Sequence, residues 1–201
     1  LKLLYFCNIR ILVKVRAEKI YQNKFLPVAK YLLKELEYYG ENQFKRKTPV
    51  SDWTIGQLYH HLIQGSYDFH LKAIRDCLEN KNDKQKGGKS FLGYYVFAFG
   101  SYPLTKQKGF TNPPVQIESP AKAKDMMFGF LKEMQKLANE IDKRGDSTFK
   151  VKHEKLGMLS ALEWYKLVVL HQKHHLKQKY KIDKVLRTFV KEESYSDTPV
   201  V

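Results

Sequence analysis

Three of the chain's seven histidines fall in one short run, His171-Gln172-Lys173-His174-His175, with Gln178 just beyond. On a helix, residues four apart stand one turn above each other on the same face. His171 and His175 have that spacing, so both imidazoles can address one metal ion. His174 is rotated by about 100° from His175 and cannot join them. Two ligands do not complete a site, so a third must come from elsewhere in the chain. No Glu lies between His171 and His175, which excludes the HExxH helix of zinc proteases.

The helix carrying these residues opens at Ser160-Ala161-Leu162-Glu163, a capping box in which hydroxyl and carboxylate each satisfy an orphan backbone donor. It runs to about Tyr180, and Lys184–Lys191 either continues it or packs separately. Its inward face reads Trp164, Val168, His171, His175, Gln178. The first two are apolar, so the histidines turn toward the core, while Lys173 and Lys177 fall on solvated faces.

A candidate third ligand lies on an earlier helix. Ser51 or Asp52 caps it, and Ile55, Leu58, Leu62, Phe69, Ala73 and Leu78 mark its apolar stripe to about Asn80. Either His60 or His61 can stand at the edge of that stripe. His61 shares a face with Gln57 and Asp68, a polar notch in the seam. His70, nine residues beyond His61, points elsewhere.

Two further long helices are predicted. One spans Phe25 to Tyr39, with Pro27 in its first turn and Gly40 at its end. The other starts at Ser119-Pro120 and carries Ala123, Met126, Met127, Phe130, Leu131, Met134, Leu137 and Ile141 before stopping at Gly145. Its methionines read as core filler. Phe91–Phe99 is too short for periodicity to separate a buried helix from a strand. Residues 100–118 and 145–159 read as irregular loops. Ile9, Ile11, Val13 and Val15 suit a short strand or an extended arm. The expected organisation is an N-terminal arm over residues 1–24, one all-α helix-bundle domain over 25–192 and a tail over 193–201.

Composition bounds the function. The 201 residues suit one domain, and 43% hydrophobic content with 13 Tyr, 12 Phe and 2 Trp supplies a core. The net charge of +15 attracts anions without specificity. No RRM, zinc-finger or basic-zipper signature accompanies it, so no specific nucleic-acid partner is expected. Leu3–Val15 is apolar but broken by Arg10 and Lys14 and too short to span a bilayer, so no membrane role is expected. Cys7 and Cys77 form neither a disulfide framework nor a thiolate zinc motif, which fits a reducing, cytoplasmic setting.

The order Trp53-x7-His61-Leu62, then His171-x-x-His174-His175-x-x-Gln178, resembles the DinB-like (YfiT-like) metalloprotein superfamily. The stretch His153-Glu154-Lys155-Leu156-Gly157-Met158-Leu159-Ser160-x-x-Glu163-Trp164 is similar to the signature of one of its subfamilies of unknown function. Glu154 stands where that signature favours Pro, and Leu156 where it favours Phe. The resemblance covers Trp53 to Gln178, with its specific motifs at the two ends. It implies a four-helix bundle with long irregular connections and a three-histidine site made by His61, His171 and His175. It implies a divalent ion there, nickel or zinc. By position, His174 is either exposed or an outer neighbour of the site, Gln178 an outer neighbour or a helix former, and the loop residue His153 a capping or packing histidine or one near the site mouth. The resemblance also implies a homodimer and a metal-dependent thiol transferase or hydrolase acting on a small-molecule substrate. A non-catalytic binding bundle and a basic nucleic-acid-associated protein are the alternatives.

Overall fold

In the computed structural model, which describes residues 16–79, 87–101, 113–145 and 149–196, the first helix, α1, covers residues 16–38. It starts well ahead of Phe25, and Ala17, Ile20 and Tyr21 are buried in the core. Residues 17–24 are therefore helix rather than arm, while Ile9–Val15 lies outside the described residues. The start is made by another helix: Asp142 accepts from the Ala17 and Glu18 N–H groups at 2.9 Å each. A carboxylate there satisfies orphan donors and meets the positive end of the helix dipole. Pro27 sits inside α1 rather than at its beginning. Proline crowds the carbonyl four residues back and has no N–H to donate. A π-helical turn, Tyr21–Phe25, closed by the Leu26 N–H on the Tyr21 carbonyl, stands directly before it.

A short helix α2, Glu41–Lys45, delivers Phe44 to the core. Helix α3 covers residues 55–78, and its cap is Thr54, not Ser51 or Asp52. The Thr54 hydroxyl accepts from the Gln57 N–H and the Gln57 side chain accepts from the Thr54 N–H, both at 3.1 Å. Midway, Ser66–Leu71 forms a second π-helical segment. Helix α4 is Phe91–Phe99, and α5 is Pro120–Arg144, capped by Ser119. Helix α6 runs unbroken from Ala161 to Ser196, so residues 184–191 continue it. Residues 145–159 are not a plain loop: Val151–His153 (β1) pairs antiparallel with Gly157–Leu159 (β2). The turn depends on Gly157, whose φ of +82° a side chain disfavours. The fold is thus helical with one small hairpin among the described residues.

Helices α3 and α6 pack on each other and on α5, and α1 closes against α5. Phe25 meets Phe130 edge to face at 5.5 Å between ring centres. Buried tyrosines spend their hydroxyls on facing backbone: Tyr59 donates to the Leu32 carbonyl at 2.7 Å and Tyr165 to that of Met134 at 3.0 Å. Helix α4 is mounted through Val96 and through Gly93, which leaves no room for a Cβ against the Leu156 carbonyl. Its other face holds Phe91, Tyr94 and Phe99 exposed, contrary to the buried helix or strand expected there. No helix among the described residues is long and apolar enough to cross a membrane. Cys77 is buried, with its sulfur against the Leu159 carbonyl.

One polar cluster crosses the core. Lys179 of α6 is 1% exposed and donates to Glu35 of α1 and to Asp183, at 2.7 Å each. Tyr39 donates to the second Asp183 oxygen, and the Tyr31 and Tyr39 rings lie 5.4 and 5.3 Å from the ammonium. Burial and the Asp183 charge hold the Tyr39 phenol protonated well above its ordinary range. The basic residues of the C-terminal helix are therefore not all solvated; this lysine ties α6 to α1.

Candidate metal centre

The capped start of α3 and the long α6 bring three imidazoles together. His61 Nε2 lies 2.9 Å from His171 Nε2 and 3.1 Å from His175 Nε2. The three rings meet edge to face, with centres 4.7 to 4.8 Å apart. His61 is 8% exposed, while His171 and His175 are half-buried. Bonds of about 2.1 Å to one ion put nitrogens about 3.0 Å apart on an octahedral face and about 3.4 Å apart on a tetrahedral edge. The separations from His61, 2.9 and 3.1 Å, lie close to the octahedral value, and the group can hold a metal ion.

Hydrogen bonding sets one ring's tautomer. Gln178 donates through its amide NH2 to the Ser51 hydroxyl at 3.2 Å, which turns its oxygen toward His175 Nδ1 at 2.9 Å. That oxygen only accepts, so His175 carries its proton on Nδ1 and presents the Nε2 lone pair to the centre. Ser51 also accepts from the Trp53 N–H at 3.1 Å. The Trp53 ring walls the site, 4.9 Å from His61 and stacked at 6.1 Å on His175.

All three imidazoles are held neutral. Burial lowers His61 to about 3, helped by the nearby His175, His60 and His174. Burial also lowers His175 to about 4, against the opposing Gln178 hydrogen bond. His171 is pushed well down by burial and then by His70, His175 and His61. Neutral rings are what a metal requires, so the ligands need lose no proton at pH 7. The sign for stability follows. The unfolded chain, with imidazoles near 6.5, binds more protons than the folded one below that pH. The metal-free protein should therefore be most stable above about pH 6.5 and weaken progressively as pH falls toward 4. Urea midpoints across that range check this; a midpoint that stays level until the carboxylates titrate would contradict it.

The other expected neighbours divide. Gln178 touches the site directly. His174 is exposed and meets His175 only with its ring edge, 5.2 Å away. His153 caps its own hairpin turn, its Nδ1 accepting from the Lys155 and Leu156 N–H groups at 3.1 and 3.3 Å. It stacks on Trp164 at 5.3 Å rather than joining the three histidines. Glu163 belongs to the α6 cap, accepting from the Ser160 N–H at 2.9 Å and pairing with Lys89. Asp68 accepts from Gln64 at 2.8 Å on the surface, and Gln57 faces the Pro114 carbonyl at 3.1 Å. The polar notch expected around His61 is therefore made by α6, not by the helix's own face.

Three contributors escaped the sequence reading. Trp53 stands in the motif that carries the resemblance, but nothing local marks it as a wall of the site. Gln172 is buried and donates to the Leu62 carbonyl at 2.8 Å, locking α6 to α3 beside the site. His70 is buried, not turned away, with its ring centre 4.9 Å from that of His171. No protein-family model, curated protein or solved structure matches the chain.

Proposed function

We propose that this chain is a DinB-like four-helix-bundle protein that binds one divalent ion, nickel or zinc, through His61, His171 and His175. The observation that carries the reading is the convergence of one ring nitrogen from each of three histidines within 4.8 Å of one another. His61, His171 and His175 would hold the ion, which when bound would supply Lewis acidity to a water or thiol. The protein's part is to orient the rings through Gln178 and Ser51 and to keep them unprotonated. A water or thiol bound there would lose its proton more readily, to solvent. That is the chemistry of a metal-dependent thiol transferase or hydrolase. A cytoplasmic homodimer belongs to the same reading.

Tag-free protein reconstituted with zinc or nickel should retain close to one equivalent per chain by elemental analysis. Less than about a tenth of an equivalent would overturn the reading. Turnover of thiol-accepting and ester substrates with and without the ion then separates an enzyme from a binding bundle.

A further inference from the structure

His70 occupies the π-helical segment of α3, and that local irregularity decides where it points. Nine residues of regular helix turn through about 900°, which would set His70 on the face opposite His61. A π turn absorbs about one extra residue, which reduces the offset to about 80°. His70 thereby enters the interior, 5% exposed, its ring tilted 44° against that of His171. Among the described residues, four buried side-chain polar atoms lack a hydrogen-bond partner, and two of them are His70 Nδ1 and His171 Nδ1. An unsatisfied buried nitrogen is costly, so two on neighbouring rings call for a shared explanation.

The metal reading supplies one, and the inference rests on that reading. If His171 directs its Nε2 lone pair at the ion, its neutral ring carries the proton on Nδ1 and must donate it. His175 solves the same problem with Gln178, at 2.9 Å. The rings packed on His171 are those of His61, His175 and His70. The first two turn Nε2 to the centre, which leaves His70 as the ring neighbour with a nitrogen to spare.

We propose that His70 is a positioning residue for the metal centre: once a ligand is bound, one bridging water or a small turn of the ring lets its Nδ1 lone pair accept the His171 Nδ1–H. The bond fixes the His171 ring and raises its basicity as a ligand. It also gives the π segment a purpose, since a regular helix would carry this imidazole away from the site.

Zinc affinity, measured by competition with a chromophoric chelator, tests this in the full chain. His70→Phe keeps a ring but no nitrogen and should bind about 10- to 100-fold more weakly. His70→Gln, whose amide oxygen restores an acceptor, should recover most of that loss. The melting temperature of each metal-free variant separates lost ligation from lost packing. Proton–nitrogen correlation spectra of zinc-loaded wild type need no variant; they should show His171 protonated at Nδ1 and His70 bare at Nδ1. A His70→Phe protein that binds zinc like wild type, or a protonated His70 Nδ1, would overturn this inference while leaving the metal site standing. A wild-type protein that takes up no metal would overturn both.

Discussion

His61→Ala should weaken zinc or nickel binding by at least about a hundredfold. Structural zinc sites bind with about 10–16 kcal/mol over four ligands, or about 3 kcal/mol for each. A loss of that size is about two decades in affinity. His61 bridges the group, since its Nε2 is the atom near both His171 and His175. Its removal leaves two ligands on one helix and none across the interface. The loss should also appear as stability. Zinc at a thousandfold above its dissociation constant stabilises a folded protein by about 4 kcal/mol, and the variant should show almost none of that. His174→Ala serves as the control, because His174 is exposed and lies outside the three-histidine group. If zinc raised the melting temperature of His61→Ala as far as that of wild type, the ligand assignment would fail.

Lys179→Ala should be the most destabilising substitution of an ionisable residue in the core, costing about 3–5 kcal/mol. The ammonium is 1% exposed and balances two carboxylates, Glu35 and Asp183, at 2.7 Å. Removing it strands both charges in a poorly solvated place and deletes two cation–π contacts. The measurement is the urea midpoint at unchanged slope, which reads stability rather than a change in the denatured state. The triple replacement Lys179→Met, Glu35→Gln, Asp183→Asn should recover much of the loss, because no bare charge then remains. A cost for Lys179→Ala below about 1 kcal/mol would show that water reaches the carboxylates.

The two helices that carry the histidine group were readable in different degrees. The Ser160–Glu163 box, the inward Trp164 and Val168, and the four-residue spacing of His171 and His175 all follow from local rules, and α6 obeys them. Ser119 likewise caps α5 as its sequence predicts. Local rules start α3 a few residues early, because Ser51, Asp52 and Thr54 are all good caps; the box closed by Gln57 selects Thr54, and Ser51 is then left for Gln178. The start of α1 lies outside local rules altogether. It is made by Asp142, more than a hundred residues away, and no local pattern reports a carboxylate that arrives by folding.

Helix period, caps and the pairing of His171 with His175 were determined by the sequence alone, because they depend on neighbours within one or two turns. The tertiary structure decided which histidine completes the group, that Lys179 is buried and paired, and that His70 faces the site. Each of these depends on what another helix presents at the same height. His70 shows the physical reason most plainly: one residue absorbed by a π turn rotates everything after it by about 100°. Regular periodicity carries no record of that insertion, so the face of every later residue must be seen rather than counted.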